Sequence, residues 1–465
     1  MRDEKIVIIG CGAGGGTAAQ FARKTNRKAK VTIFEKGCYP QYSKCGLPYT
    51  ISGTISTPAD LIEFTEEWFT KAKIMLHLNT TVTEIDSTKK RVITQNEEKE
   101  TFEEPYDSLI IATGSNPILP QIKHIVTPQG LIPGVVTIRT IDDAKKVLSL
   151  LPTIQQVTII GAGLIGLEMA DNLTQQQKNV TVVETLPHIL PLIDDDFSIQ
   201  IEAIIKEHIA LFTNHFATEI QTKDGKITNL VIQNRATDET ENIPTDLLII
   251  ATGTKPEINL AKQIGCDIGK TGGIIVDHTS RTSIPKVYAV GDCTEYKDYV
   301  TKEPVPIGLG SIAVRQAIAA GTNAAGGTYH LPDGVLQTFA SYFFHQQIAA
   351  VGPPTAHLTT FETISGRFQG SSLPGYFPGG KQILMKTTID KDSGKILSAQ
   401  AIGENAAQRI NSYATAILGD MTIDTFRKLE TAYAPPVAPT LDVVSLTADV
   451  AYMKQQRKKT NKMIS

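Results

Sequence analysis

A chain of 465 residues is too long for a single hydrophobic core, so roughly two to four domains are expected. Its hydrophobic content of 41% and charged content of 20% are ordinary for a globular protein. A formal net charge of −3 gives no general attraction to nucleic acid or anionic membranes, so neither partner is expected.

The start of the chain lacks the layout of a secretory signal, because charged residues run straight into an apolar strand. No apolar stretch approaches the roughly 20 residues that a membrane span requires. Five cysteines in a chain of this length do not make a disulfide framework. We therefore expect a reducing, cytoplasmic setting. With no histidine pair at ligand spacing and no C-x-x-C motif, no metal site is expected.

The first elements form the front of a βαβ unit. The apolar run Ile6–Ile9 is followed by a helix from about Gly14 to Arg23, and a second strand, Val31–Phe34, ends at Glu35. The intervening segment, Gly10–Gly15, fits G-x-G-x-x-G. This pattern predicts a dinucleotide-binding turn.

Each motif residue has a separate physical role. Gly10 permits the tight turn, Gly12 lets the backbone approach a pyrophosphate, and Gly15 lets helix and strand pack closely. Glu35 follows Gly15 by 20 residues, where a carboxylate can accept hydrogen bonds from ribose hydroxyls.

Cys45 is the candidate reactive thiol. Pro48 is tolerated in a first helical turn, so Cys45 is predicted to open a helix that stops near Gly53. The helix dipole stabilises a thiolate there by up to about 2 kcal/mol, which makes it a better nucleophile.

Cysteine spacing indicates that Cys45 works alone. A two-cysteine centre usually has its second cysteine five residues on, and that position is Thr50. Cys38 lies seven residues earlier on a predicted loop; a Cys38–Cys45 disulfide is the less favoured alternative, and the role of Cys38 stays open. We expect Cys45 to pair with a small external thiol or to be oxidised to a sulfenate.

The same layout recurs about 150 residues later. The strand Val157–Ile160 leads into a second glycine motif, Gly161–Gly166, and Glu184 follows Gly166 by 18 residues. A carboxylate suits a free ribose 2′-hydroxyl and repels a 2′-phosphate. No Lys or Arg lies between Glu184 and Lys206, so the sequence favours NADH and leaves NADPH open.

Three further strand ends complete the domain prediction. Ser108–Gly114 and Leu247–Gly253 each close a nucleotide-binding half, and Val287–Asp292 lies beyond the second half, so the second domain is predicted to be inserted in the first. After about residue 331 the pattern changes to longer alternating strands. The predicted domains are 1–118 with 255–330, 119–254, and 331–465.

With these residues in place, the chain resembles the pyridine nucleotide–disulfide oxidoreductases from about residue 4 to 452. The segments Cys45–Tyr49 and Tyr433–Pro436 resemble the single-cysteine branch, which holds coenzyme A-disulfide reductases, NADH oxidases and NADH peroxidases. The resemblance implies an α/β fold with two Rossmann-like domains, for FAD and NAD(P), and a C-terminal α+β dimerisation domain.

The resemblance also implies site residues and a homodimer whose C-terminal domains complete each other's active sites. Catalytic roles would fall to Cys45, Tyr433 and Tyr376. FAD would contact Gly10, Gly12, Gly15, Glu35, Lys36, Thr113, Gly114 and Asp292. The nicotinamide dinucleotide would contact Gly161, Gly163, Gly166, Glu168, Glu184 and Gly253.

Departures from the family pattern separate its branches. The oxidases and peroxidases commonly have a histidine where this chain has Ala13, which favours the coenzyme A-disulfide reductase type. Those reductases have Ser and Asn where this chain has Gln41 and Lys44, so the thiol substrate stays open, as does phosphate binding by Lys24 and Lys44.

The resemblance implies electron flow from NAD(P)H through FAD to a Cys45 mixed disulfide with a small thiol such as coenzyme A. The alternative is an NADH oxidase or peroxidase that uses a Cys45 sulfenic acid.

Overall fold

The computed structural model describes residues 3–128 and 130–464. Two compact units emerge. The first comprises Met1–Gln155, Leu247–Asp298 and Lys302–Val335; the second comprises Gln156–Asp246, Tyr299–Thr301 and Leu336–Ser465.

The strands, numbered in chain order, are β1 (Lys5–Ile9), β2 (Lys30–Phe34), β3 (Ile74–His77), β4 (Thr81–Asp86), β5 (Arg91–Gln95), β6 (Thr101–Pro105), β7 (Ser108–Ile111), β8 (Ser115–Pro117), β9 (Val126–Thr127), β10 (Gly130–Leu131), β11 (Val135–Thr137), β12 (Gln156–Ile160), β13 (Asn179–Val183), β14 (Ala210–Phe212), β15 (His215–Lys223), β16 (Lys226–Asn234), β17 (Thr240–Pro244), β18 (Leu247–Ile250), β19 (Thr254–Pro256), β20 (Ile274–Ile275), β21 (Val287–Ala289), β22 (Thr294–Lys297), β23 (Pro304–Pro306), β24 (Phe339–Phe343), β25 (Gln346–Val351), β26 (Thr363–Ser371), β27 (Gln382–Asp390) and β28 (Ile396–Gly403).

The α-helices are α1 (Ala13–Thr25), α2 (Leu47–Ile51), α3 (Glu66–Lys71), α4 (Ile141–Leu150), α5 (Leu164–Gln175), α6 (Asp195–Ile205), α7 (Asn259–Gln263), α8 (Gly310–Ala324), α9 (Ala406–Leu418), α10 (Ile423–Phe426) and α11 (Val443–Ile464). Short 3₁₀ helices cover Lys44–Gly46, Pro58–Leu61, Leu151–Thr153 and Thr355–His357.

The first unit is built on a parallel sheet with the strand order β21-β7-β1-β2-β3. β1 and β7 are almost wholly buried, as expected for strands covered on both faces. Helices α1 and α8 lie so close that a Cβ on Gly321 would come within 2.2 Å of the Ala18 carbonyl oxygen. Because β21 pairs with β7, the chain returns to its first sheet after a long excursion. The predicted insertion is confirmed, while the individual domain boundaries stay a prediction.

The second unit contains the parallel strands β12, β13 and β14 and an antiparallel sheet with the order β24-β25-β28-β27-β26. Helices α9 and α11 contribute to the apolar core of that sheet, with Ile410, Tyr413 and Ala448 fully buried. The predicted change of pattern after residue 331 is confirmed. Among the described residues, no helix combines the length and apolar character needed to cross a membrane.

Candidate active site

The first glycine turn has the geometry that the motif predicts. Gly10 has a φ of +100°, a conformation that side chains disfavour, and it packs against the Ala112 carbonyl. A Cβ on Gly15 would lie 1.8 Å from the Gly10 carbonyl oxygen, so helix α1 can meet the turn only if that position is glycine. Beside Gly12 a Cβ would meet nothing within 4 Å. The turn is therefore closed on its packed side and open where a pyrophosphate would approach.

The Glu35 carboxylate braces this turn. Its Oε2 accepts a hydrogen bond from the Cys11 backbone N–H at 2.7 Å, and its Oε1 accepts one from Gly37 N–H at 2.8 Å. A carboxylate has about four acceptor positions, so both oxygens can still accept bonds from a ribose. The neighbouring Lys36 is exposed.

Asp292 lies just beyond β21 and is held by two side chains that the sequence did not indicate. Its Oδ2 accepts hydrogen bonds from Ser115 Oγ at 3.0 Å and from Arg139 Nη2 at 2.7 Å. Arg139 also donates to Ser115 Oγ at 2.6 Å. The buried Arg139 Nε has no partner among the described residues. Such a donor suits an anionic oxygen, and leaving it unpaired is costly.

The remaining predicted flavin contacts lie at the end of β7. The Thr113 hydroxyl donates to the Glu257 carbonyl oxygen at 2.6 Å, so this hydroxyl links the end of β7 to the segment after β19. Gly114 follows with a positive φ, and a Cβ there would lie 4.0 Å from Arg139 Nη2. The open turn, the Asp292 carboxylate and the unpaired Arg139 Nε fit a bound FAD. Gly12, Glu35, Asp292 and Arg139 would hold it.

Cys45 is exposed in the 3₁₀ turn Lys44–Gly46, directly before α2. The predicted helical start is confirmed, although the regular α-helix begins only at Leu47 and ends near the predicted stop. The Thr50 hydroxyl donates to the Leu47 carbonyl oxygen at 2.7 Å within that helix. The Lys44 side chain reaches solvent, yet the protein that surrounds it lowers its pKa, and the positive charge of Arg139 adds to the effect. Charges of both signs act on Lys44: Arg139 lowers its pKa, whereas Asp292 and Glu35 raise it.

The other cysteines differ from Cys45 in their surroundings. Cys11, Cys266 and Cys293 are buried, and burial raises the pKa of each thiol, so these three cysteines pack as core residues. Cys38 is exposed, and neither it nor Cys45 forms a disulfide.

The second glycine turn reproduces the first. Gly161 has a φ of +102°, and a Cβ at Gly163 would meet nothing within 4 Å. Glu184 Oε2 accepts from Ala162 N–H at 2.7 Å, and Oε1 accepts from Leu186 N–H at 2.8 Å. The predicted duplication therefore extends to the hydrogen bonds of the two carboxylates.

Two predicted members of the nicotinamide site lie outside this turn. Glu168, on α5, accepts a hydrogen bond from Ser341 Oγ at 2.6 Å, and burial raises its pKa while the Ser341 bond lowers it. Gly253 follows β18 in the first unit, and its role stays a prediction.

Tyr376 and Tyr433 come together in the second unit although they are distant in the chain. Their hydroxyls are hydrogen-bonded at 2.7 Å, and the side chains are 72% and 47% exposed. The bond with Tyr433 raises the pKa of Tyr376, so this phenol holds its proton at neutral pH. In the described residues, no group of three or more His, Cys, Asp or Glu side chains is arranged to hold a metal ion.

Two dinucleotide-binding turns, with an exposed thiol in the same unit as the first, are typical of a flavin- and nicotinamide-dependent oxidoreductase. Residues 4–321 match the pyridine nucleotide-disulphide oxidoreductase family, and residues 338–443 match the dimerisation domain of that family. The chain belongs to this family. Its cofactors are FAD and a nicotinamide dinucleotide.

Full-length relatives share this organisation. The chain is 34% identical to an NADH oxidase of Methanocaldococcus jannaschii, over 98% of this chain and 100% of the relative. It is 32% identical to the NAD(P)H coenzyme A polysulfide/persulfide reductase of Pyrococcus horikoshii, over 96% and 98% of the two chains. The structure of a NAD-dependent persulfide reductase from A. fulgidus matches with a TM-score of 0.91 and 32% identity, covering 97% of this chain and 84% of that one.

Proposed function

We propose that this protein is an NADH-dependent reductase of a small disulfide or persulfide, of the coenzyme A-disulfide type, and that Cys45 is its one redox-active cysteine. The observation that carries the proposal is the contrast between the exposed Cys45 in a helical turn and the three buried cysteines. The relative named as a coenzyme A polysulfide/persulfide reductase supports the substrate class. The five cysteines are free thiols, which is consistent with a location in the reducing cytoplasm.

The chemistry assigned to the chain is thiol–disulfide exchange. The Cys45 thiolate attacks one sulfur of the substrate, the sulfur–sulfur bond breaks, and Cys45 is left in a mixed disulfide while one thiolate departs. FAD, when bound, supplies the two electrons that originate from NADH and release the second thiolate. The positive charge of Lys44, the residue before Cys45, suits a phosphate-bearing substrate.

A homodimer completes the proposed site. The dimerisation domain carries Tyr376 and Tyr433, whose side chains are exposed and whose hydroxyls are bonded to each other. We assign to the partner subunit's Tyr433 the protonation of the departing thiolate, with the partner subunit's Tyr376 holding it by the 2.7 Å bond.

NADH is the preferred donor. The Glu184 carboxylate is fixed by two backbone N–H groups, so it cannot turn away from a 2′-phosphate without losing both bonds. A hydrogen bond to a charged group contributes roughly 1.5–3 kcal/mol, so its loss is a substantial barrier to NADPH.

Mild reduction of the purified holoenzyme, followed by mass measurement of the released thiol, tests the proposal. Release of coenzyme A in equal amount to flavin is the expected result. If no thiol is released and Cys45 is found as sulfenic acid, the disulfide-reductase proposal is wrong.

The second candidate is an NADH oxidase, since one relative carries that name. Oxygen consumption well above the rate of coenzyme A disulfide reduction would favour it. Ala13, at the position where a histidine is typical of oxidases, speaks against it.

A further inference from the structure

A serine occupies the apolar face of β24. Residues alternate along this strand, and Phe339, Ser341 and Phe343 lie on its buried face. A hydroxyl buried between two phenylalanines is destabilising unless it is hydrogen-bonded. Ser341 meets this requirement through the 2.6 Å bond to Glu168 Oε1, although the two residues are 173 positions apart.

Glu168 depends on this hydroxyl because, in the part of the chain that the structure describes, no cationic side chain is paired with its carboxylate. Burial raises the pKa of its carboxyl, and the Ser341 bond is the compensating interaction. On the strands packed most closely against α5, which are β12, β13 and β24, the titratable side chain is Tyr342, and it lies on the opposite, exposed face. Asp171, on α5 itself, is a second acid. Ser341 is therefore the group that favours an ionised Glu168.

The hairpin that carries Ser341 is held in a strained turn. Phe344 and His345 have φ values of 46° and 61°, and a bulky side chain is a conformational outlier there. Such strain persists where surrounding contacts impose it. Phe344 is buried and stacks on His208, with ring centroids 5.1 Å apart and an interplanar angle of 10°. His208 follows α6, so the hairpin is fixed to the nucleotide-binding part of the same unit.

The direction of the Glu168 side chain connects this contact to the cofactor. Helical side chains lean towards the N-terminus of their helix, and for α5 that end is the second glycine turn. A carboxylate there lies on the side where a dinucleotide would bind.

We propose that Ser341 is a positioning residue that holds the Glu168 carboxylate towards the nicotinamide of the bound dinucleotide, where its charge favours the cationic ring of NAD⁺. This inference rests on the proposed use of NADH and on the predicted placement of Glu168 in the nicotinamide site. When NADH is oxidised, its C4–H bond breaks, the hydrogen leaves with both electrons for FAD, and the ring becomes a cation. A fixed carboxylate stabilises that positive charge as it develops.

The test compares NAD⁺ with ADP-ribose, which lacks the nicotinamide. Calorimetry on oxidised holoenzyme would measure both affinities as a function of pH for the wild type, Ser341→Ala, Ser341→Thr and Ser365→Ala. Ser365 is the matched control, because it lies in the same sheet and bonds to the neutral Thr388 hydroxyl at 2.8 Å.

We expect Ser341→Ala to bind NAD⁺ about tenfold more weakly, since a bond to a charged group is lost. Its affinity for ADP-ribose should be unchanged. Without its donor, Glu168 has a higher pKa, so the loss of NAD⁺ binding on acidification should begin at a higher pH. Ser341→Thr keeps the hydroxyl and should resemble the wild type, as should Ser365→Ala.

An equal loss of affinity for NAD⁺ and ADP-ribose in Ser341→Ala would overturn the proposal, as would an unchanged pH profile. If Ser341→Ala does not fold, Glu168→Gln must show the selective loss of NAD⁺ affinity. Neither measurement uses a disulfide substrate, so an error in the proposed substrate would leave this result standing. Wild-type protein that did not distinguish NAD⁺ from ADP-ribose would instead contradict the nicotinamide site itself.

Discussion

The two glycine turns of this chain are nearly the same structure in different surroundings. In each, a glutamate at the end of the second strand accepts a backbone N–H from the turn at 2.7 Å and another two residues beyond itself at 2.8 Å. The unit that carries the first turn also holds an exposed thiol, Cys45, and the cationic residues Lys44 and Arg139. The helix that follows the second carries a half-buried acid, Glu168, which is bonded to Ser341.

This difference shows what the shared turn does and what it leaves to its neighbours. The turn and its glutamate supply general affinity for a dinucleotide, because backbone donors and a ribose acceptor are common to all such ligands. The side chains around each turn decide its role: the flavin at the first turn passes electrons to a sulfur, and the nicotinamide at the second donates hydride. Three experiments test whether the surroundings of the two turns have these separate roles.

Replacing Cys45 by serine should have the largest effect. The variant should keep its FAD and accept hydride from NADH, yet lose disulfide reduction by at least about a thousandfold, because a hydroxyl does not replace a thiolate nucleophile. Anaerobic flavin bleaching and turnover with coenzyme A disulfide would be measured separately. Cys38→Ser is the control and should turn over normally. Undiminished disulfide reduction by Cys45→Ser would show that Cys45 is not the redox centre.

Alanine at the open glycine of each turn should separate the two ligands. A Cβ at Gly12 or at Gly163 meets no protein atom within 4 Å, so both variants should fold. The added methyl faces the pyrophosphate and should weaken binding by roughly tenfold or more, as overpacking costs about 1–3 kcal/mol.

The two glycine variants are compared by their flavin content and their NAD⁺ affinity. Gly12→Ala should lose FAD, whereas Gly163→Ala should keep FAD and bind NAD⁺ more weakly. If both variants lost the same ligand, the assignment of one dinucleotide to each turn would be wrong.

Removing the charge of Glu184 should have the smallest effect. Glu184→Gln relieves repulsion of a 2′-phosphate and weakens a bond to the ribose, so the ratio of kcat/KM for NADPH to that for NADH should rise by about fivefold to tenfold. Steady-state kinetics with both donors measure this ratio. The exposed Glu207, changed to Gln, is a matched control for loss of a negative charge. An unchanged ratio in Glu184→Gln would contradict the proposed basis for NADH preference.

Much of the fold followed from short segments of sequence. The strand Ile6–Ile9, its glycine turn and helix α1 appear within a few residues of their predicted positions, as does the second copy from Val157 onward. The interruption of the first domain was also predictable, because the buried strand before Asp292 resembled a missing member of the first sheet.

The side-chain partners of the site were harder to predict. Arg139 reaches Asp292 across 153 positions, and Ser341 reaches Glu168 across 173. One signal was available in the sequence: Ser341 lies between two phenylalanines in an alternating strand. This position indicates a buried hydroxyl that needs a hydrogen-bond partner, but it does not identify that partner. Arg139 belongs to no recognisable sequence motif.

Short stretches of the chain were enough to predict two dinucleotide turns, each with an acid for a ribose, and a cysteine at a helical start. These features depend on backbone geometry within about 30 residues, so residue type and spacing suffice to specify them. Only the folded chain shows that Arg139 bonds to Asp292, that Ser341 bonds to Glu168 and that Tyr376 bonds to Tyr433. Such pairs depend on which elements pack together, and packing is set by the whole fold rather than by any local pattern.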